Sequence, residues 1–219
     1  MEYKTTDRRD FLRQASMAAL AFPLLAGCRG EMWASQTAES DVLASIKKNA
    51  LPAGGDWSGA IEAPADVSWK TALATAKDEG EPMLISGTVY RPDGKTPAPN
   101  TLIYLYHTDM YGIYGRAGQP KHGKFRGWML TDAKGRYEFS SIRPASYPNT
   151  TFAAHVHMTV TTADRREDWV DSILFEGDRF ISARERQEAG RRGGFQPIVK
   201  LVKNSGGILQ ATRDIQLLA

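Results

Sequence analysis

From Met83 onward, turn residues divide the chain into short segments of alternating apolar and polar residues, and this pattern constrains the fold most. Residues 84–90 alternate with a period of two, which is typical of a strand with one buried face. The Asp-Ala-Lys-Gly sequence at 132–135 predicts a hairpin between its two flanking strands. Strands are predicted at 84–90, 101–107, 127–130, 137–140, 153–161, 172–175, 197–203 and 208–217. Many short strands with little helix predict an all-β fold, an antiparallel β-sandwich.

Residues 1–28 have the features of an export signal. The pair Arg8 and Arg9 precedes an apolar stretch at 15–25, which is shorter than the roughly 20 residues that span a bilayer. This arrangement predicts a signal of the twin-arginine type. The stretch ends in Leu-Ala-Gly-Cys, which resembles a bacterial lipobox, and Cys28 is the only cysteine of the chain. We expect an exported protein on the periplasmic side of the cell envelope, with a membrane lipid anchor at Cys28; the alternative is ordinary cleavage nearby that discards Cys28.

Residues 29–82 are predicted to be a tether with two short packing helices, at 40–49 and 68–78. About 190 residues follow the signal, enough for one domain, which is expected at 83–219. The formal net charge is only +3, and no basic patch is interleaved with aromatic residues. Nucleic acid is therefore not expected as a partner.

The sequence His155-Val156-His157 predicts a metal site. Residues two apart in a strand point to the same face, so both imidazoles can bind one ion. Tyr114 and Tyr147 are candidates for two further ligands. Phenolate is a hard anion that favours Fe(III), and two phenolates with a hydroxide leave a ferric site neutral. Taken alone, a His-x-His pair is more often two ordinary polar residues, and copper or zinc bound by the histidines alone is also possible.

Five segments occur in the order seen in the intradiol ring-cleavage dioxygenases, the family of catechol and protocatechuate dioxygenases, which the chain resembles from about Ile85 to Asp178. The segments that carry this resemblance are Ile85–Val89, Tyr104–Tyr114, Phe125–Phe139, Ile142–Pro148 and Ala154–His157. The resemblance implies a transthyretin-like (prealbumin-like) sandwich that binds Fe(III) without an organic cofactor. It also implies that both atoms of O2 enter a catecholic substrate, whose ring opens between the hydroxyl-bearing carbons to a muconate-type diacid.

The same resemblance assigns roles to individual residues. Tyr114 would be the equatorial tyrosinate, and Tyr147 the axial tyrosinate that leaves when substrate binds and takes one of its protons. His155 would be the axial imidazole and His157 the equatorial one. Arg126 is the candidate catalytic cation, with packing as its alternative role. Outside this set, His107 is expected to be structural or to support a ligand from behind. His122 is expected to lie in a solvated loop, with a place at the border of the pocket as the alternative.

Two positions depart from the pattern of the family. Phe152 stands where members usually carry an arginine three residues before the first histidine, and Ser172 stands where a glutamine often lines the pocket. Loss of one preorganised charge can cost several kcal/mol of transition-state stabilisation. The sequence therefore predicts an active enzyme for an unusual, bulkier or apolar catecholic substrate. The alternatives are a transthyretin-like envelope binding module with weak or no catalysis and a copper or zinc protein; the oligomeric state stays open.

Overall fold

The computed structural model describes residues 41–115 and 119–219. The predicted export signal, the lipidation site Cys28 and the first part of the tether lie outside these residues. Within the described ranges, no helix is long and apolar enough to cross a membrane.

The described residues form a β-sandwich, as the strand pattern predicts. The first sheet has the order β1-β5-β2-β10-β9, with β11 also paired to β2, and the second has the order β4-β3-β6-β7-β8. The strands are β1 Lys70–Ala72, β2 Pro82–Tyr90, β3 Leu102–His107, β4 Arg126–Leu130, β5 Arg136–Ile142, β6 His155–Thr162, β7 Arg165–Phe175, β8 Ile198–Val199, β9 Val202–Lys203, β10 Leu209–Thr212 and β11 Ile215–Gln216.

The core lies between the two sheets. Ile85 and Phe139 from the first sheet pack in one cluster with Leu105 and Val156 from the second, and all four are fully buried. The central pairs β2–β5, β3–β4, β3–β6 and β6–β7 are antiparallel. The pairs β1–β5, β2–β10, β2–β11 and β7–β8 are parallel. The fold class is confirmed, with parallel pairs added around an antiparallel centre.

The predicted hairpin at 132–135 is wrong. The turn itself forms, because the Gly135 N–H donates to Asp132 O (2.8 Å) and Gly135 adopts a φ of +71°. However, β4 and β5 lie in different sheets, so the turn carries the chain across the sandwich. Turn residues fix a chain reversal, whereas the burial of each strand decides which partner it takes.

The predicted helix at 40–49 is confirmed over its described part, since residues 41–47 are helical. The helix predicted at 68–78 is wrong, because β1 forms there and pairs with β5. Tertiary pairing overrides the weak helix propensity of this Ala- and Lys-containing segment. β1 belongs to the same compact unit as the rest of the sandwich, which therefore starts before residue 83. A short helix, Ala183–Glu188, was not expected from the sequence.

Residues 43–60 form a cover, called the N-terminal cover below, over part of the outer face of the second sheet. Leu43 and Ile46 of the helix pack with Ala60 on Leu102 of β3. As a result, every residue of β3 is buried. The core covers the side chains that point inward, and the N-terminal cover packs on Leu102 of the outward side. Tyr104 and Tyr106 project from the same outward side, where the candidate site also lies.

Candidate metal centre

Four polar side chains meet on the outer face of the second sheet. Tyr114 Oη lies 2.5 Å from Tyr147 Oη, which in turn lies 3.1 Å from His155 Nε2 and 3.3 Å from His157 Nε2. The two Nε2 atoms are 2.9 Å apart. The structure thus brings together all four metal ligands predicted from the sequence.

Strand parity aims the two histidines. In β6, Val156 points into the core and is fully buried, so His155 and His157 share the outward face. Tyr114 follows β3 and Tyr147 lies between β5 and β6, so two loops must approach the start of β6. Gly112 permits this approach. It has a φ of +81°, and a Cβ there would lie 2.0 Å from Ser146 O, next to Tyr147.

Each imidazole has a partner on its other nitrogen. His155 Nδ1–H donates to Ala153 O at 2.6 Å, which leaves a lone pair on Nε2, and His157 Nδ1 lies 3.3 Å from Ser172 Oγ. Burial lowers the pKa of His157 to about 3, with the nearby His155 adding to the effect. Burial also lowers the pKa of His155, although the hydrogen bond to Ala153 and the charge of Glu185 oppose this shift. Both rings are therefore neutral and present lone pairs to one point.

The donor distances fit a single metal ion. Ligand atoms about 2.1 Å from a metal and at right angles to each other lie about 3.0 Å apart. The three distances from Tyr147 Oη and the distance between the two Nε2 atoms are 2.5–3.3 Å. Burial raises the pKa of both tyrosines, so a bound cation is needed to hold them as phenolates. No group of three His, Cys, Asp or Glu side chains in the described ranges is placed to hold a metal, so a site here with more than two protein ligands would use the tyrosines.

An aromatic stack supports His157, and sequence reasoning missed it. The Tyr106 ring lies between His157 (centroids 4.6 Å apart) and His122 (3.9 Å apart). The expectation that His122 is solvated is wrong, because it is 6% exposed and Tyr104 Oη lies 2.6 Å from its Nδ1. His107 is structural as expected, buried and bonded to Thr108 O and Ser141 Oγ at 2.7 Å. The alternation of Tyr104 and Tyr106 in β3 was the available signal for the stack.

Arg126 points elsewhere. Its guanidinium donates to Glu62 at 2.7 Å and packs 5.2 Å from the Trp128 ring centroid. Among the described residues, no hydrogen bond joins Arg126 to the four metal-ligand candidates. A catalytic role for Arg126 stays a prediction.

A cleft of ≈ 270 Å³ opens beside the two histidines. Phe152 and Ser172, the two residues predicted to line a substrate pocket, both lie in its wall. Phe152 is 62% exposed, and its ring centroid is 6.1 Å from that of Tyr147. The two departures from the family pattern therefore meet at one surface, next to the metal-ligand candidates.

A family model described as dioxygenase matches residues 58–193, which is more than half of the chain. The chain therefore belongs to the intradiol dioxygenase family. The protocatechuate 3,4-dioxygenase beta chain of Burkholderia cepacia is 28% identical over 124 residues, 52% of each chain. The chlorocatechol 1,2-dioxygenase of a Pseudomonas species is 33% identical over 134 residues, 48% of this chain and 53% of the relative. The chain thus spans about half the length of these curated relatives.

Solved structures agree on the fold. The dioxygenase domain of a dioxygenase and carbohydrate-binding protein fusion from Streptomyces sp. SirexAA-E superposes with a TM-score of 0.54 at 23% identity. The match covers 78% of this chain and 97% of that domain. Catechol 1,2-dioxygenase from Pseudomonas arvilla C-1 has a TM-score of 0.55 at 20% identity, covering 86% of this chain and 67% of the other.

Proposed function

We propose that the protein is a non-haem Fe(III) intradiol dioxygenase that cleaves a catecholic substrate with O2 to a muconate-type diacid. The observation that carries this proposal is the convergence of two tyrosine oxygens and two neutral imidazole nitrogens at one point. A ferric ion held there would act as a Lewis acid and an electron acceptor toward the chelated catecholate, which would open the electron-rich ring to reaction with O2. The names of the relatives, which include catechol and protocatechuate dioxygenases, support the same reaction class.

Tyr147 is the proposed proton acceptor. Its oxygen is the donor with short distances to each of the other three, at 2.5, 3.1 and 3.3 Å. Burial raises the pKa of Tyr147, so its phenolate is a strong base once displaced. It would take one of the two hydroxyl protons of the catechol, and a hydroxide, the third anion of the neutral site, would leave with the other proton as water, so that both substrate oxygens could bind.

Tyr114 and the histidines are the proposed fixed ligands. The Tyr106 ring packs against both Tyr114 (centroids 5.7 Å apart) and His157 (4.6 Å apart) and limits their movement. The Ala153 carbonyl fixes the orientation of His155 through its Nδ1–H. Tyr147, like Tyr114, lies on a loop and is half-buried, but its ring packs against the exposed ring of Phe152.

Optical spectra and metal analysis test the proposal. The protein loaded with iron should contain about one iron per chain and show the broad charge-transfer band of Fe(III) tyrosinate. The band should shift on anaerobic addition of catechol, and under ¹⁸O₂ both labelled atoms should appear in the diacid. A protein that stays colourless after reconstitution with iron would refute the proposal and favour the non-catalytic binding module.

Tyrosine variants test the ligand assignment. Tyr147→Phe should recolour or weaken the site, and Tyr114→Phe should do so more severely, whereas Tyr111→Phe is the control because Tyr111 is 60% exposed. Retention of iron, colour and turnover in both ligand variants would rule out the assignment. The 2.9 Å spacing of the two Nε2 atoms leaves copper or zinc as the second candidate. Such a site does not need Tyr147, so its metal content would be unchanged in Tyr147→Phe.

We also propose that the protein is exported and lipid-anchored at Cys28. This proposal rests on the paired arginines, the short apolar stretch and the single cysteine of residues 1–28. Metabolic labelling with a fatty acid should mark the wild-type chain in the membrane fraction and leave Cys28→Ser unlabelled. Equal labelling of the two chains would refute the anchor.

A further inference from the structure

The cleft beside His155 and His157 is small and mostly apolar. Its volume of ≈ 270 Å³ lies just below the roughly 300 Å³ at which ordinary small-molecule sites begin. It therefore suits one aromatic ring with a short substituent. Phe152, Trp169, Leu174 and Pro197 contribute apolar surface to its wall.

The charged residues that line this cleft are acids: Asp171, Glu185 and Glu188. Two of these acids have partners that offset their negative charge. Asp171 Oδ2 accepts the backbone N–H groups of Gly190 and Arg192, and Glu188 is paired with Arg184 and Arg191.

Glu185 differs from the other two acids. Its Oε2 accepts from the N–H and hydroxyl of Ser182, and no Lys or Arg side chain in the described ranges lies within 4.0 Å of its carboxylate. It is also near enough to His155 for its charge to act on the imidazole. A negative substituent on a bound ring would therefore meet a carboxylate with no Lys or Arg partner in the described ranges within 4.0 Å.

We propose that this cleft selects catechols with a short substituent that carries no negative charge and rejects carboxylated catechols, with Glu185 as a specificity-determining residue. The inference rests on the proposed function, because it assumes that the catechol oxygens bind at the four ligands. Phe152 contributes an exposed aromatic surface close to Tyr147, on which an apolar substituent can pack.

Three catechols with substituents of similar length and different charge test the inference. These are 4-ethylcatechol (neutral), 3,4-dihydroxyphenylacetate (negative) and dopamine (positive). Their dissociation constants are measured anaerobically from the shift of the charge-transfer band, and kcat/KM is measured from O2 uptake. We expect 3,4-dihydroxyphenylacetate to bind roughly tenfold more weakly than 4-ethylcatechol, a difference of about 1.4 kcal/mol. The ratio of these two dissociation constants should shrink in 0.5 M salt if charge causes the difference.

Glu185→Gln identifies the residue responsible. Glutamine at this position can still complete the capping box with Ser182, so the helix Ala183–Glu188 is retained. The ratio of dissociation constants should fall from roughly tenfold to about threefold. Glu81→Gln makes the same charge change outside the cleft, where Glu81 pairs with Arg143 and Lys203, and should keep the wild-type ratio.

The possible outcomes separate the two proposals. If unsubstituted catechol causes no band shift, the proposed function and this inference both fall. If catechol does shift the band but 3,4-dihydroxyphenylacetate binds as well as 4-ethylcatechol, only the inference is wrong. It is also wrong if Glu185→Gln leaves the ratio unchanged, or if dopamine binds as weakly as 3,4-dihydroxyphenylacetate, because the discrimination would then not depend on the sign of the charge.

Discussion

Glu167 ties the N-terminal cover to the sheet that carries the site, and removing its carboxylate should destabilise the whole protein. Glu167 is 3% exposed. Its carboxylate accepts hydrogen bonds from the N–H groups of Leu51, Gly59 and Ala60 at 2.8–3.0 Å and from Thr159 Oγ1 at 3.0 Å. The sheet thereby fixes both ends of residues 51–60.

Three backbone donors would lose their acceptor in Glu167→Ala. Each buried donor without a partner costs about 1–3 kcal/mol, and water entering the vacated space recovers part of that. We expect the free energy of unfolding to fall by about 3–5 kcal/mol. Thr159→Val, which removes one donor and leaves the other three bonds in place, should cost about 1 kcal/mol.

Urea denaturation at pH 7, followed by tryptophan fluorescence, measures both changes. The Trp128 Nε1–H donates to Gly59 O, so fluorescence also reports whether the cover stays in place. A loss below about 1 kcal/mol in Glu167→Ala, equal to that of Thr159→Val, would refute the reasoning. It would mean that residues 51–60 do not depend on this carboxylate.

Four further predictions follow from single positions. Gly112→Ala should lower the affinity for iron at least tenfold while the sandwich stays folded, because the alanine Cβ would meet Ser146 O and separate the loops that carry Tyr114 and Tyr147. Competition with a chelator measures the affinity. His107 is buried and its pKa is lowered to about 4, against about 6.5 in an unfolded chain. The folded state therefore binds fewer protons than the unfolded chain below about pH 6.5. We expect the free energy of unfolding to fall by about 2 kcal/mol between pH 7 and pH 5, and to fall less steeply in His107→Asn. Arg126→Gln should lower the melting temperature slightly and keep kcat within about threefold of the wild type, because the guanidinium bonds to Glu62. A hundredfold loss of kcat at unchanged stability would instead support a catalytic role for Arg126. Phe152→Arg should tighten binding of 3,4-dihydroxyphenylacetate at least fivefold in the anaerobic titration, because it adds a cation to the acidic cleft.

The predictions that came true were those that depend on local geometry. His155 and His157 share a face because they are two apart in a strand, and Val156 between them is apolar and faces the core. The alternation in β2 likewise predicted which residues are buried. Such patterns need no knowledge of the partner strand.

The predictions that failed depend on distant partners. Nothing within the Asp132–Gly135 turn states that its flanking strands enter different sheets, and nothing in β1 reveals that β5 is its partner. Glu167 lies in Arg-Arg-Glu-Asp, which reads as a solvated charged run, but its side chain turns inward toward donors more than 100 residues earlier. The Tyr106–His122 stack was missed for the same reason, because the loop that carries His122 folds back over β3.

The position of Tyr147 among the four candidates gives a geometric reason why it should be the ligand that leaves. A catecholate binds through two oxygens and needs two adjacent positions at the metal. Tyr147 Oη lies next to each of the other three donors, so its removal opens space beside all of them. The histidines are held by β6, and Tyr114 packs against Tyr106 as well as against Tyr147. Tyr147 is therefore the ligand whose departure opens space beside all three of the ligands that stay.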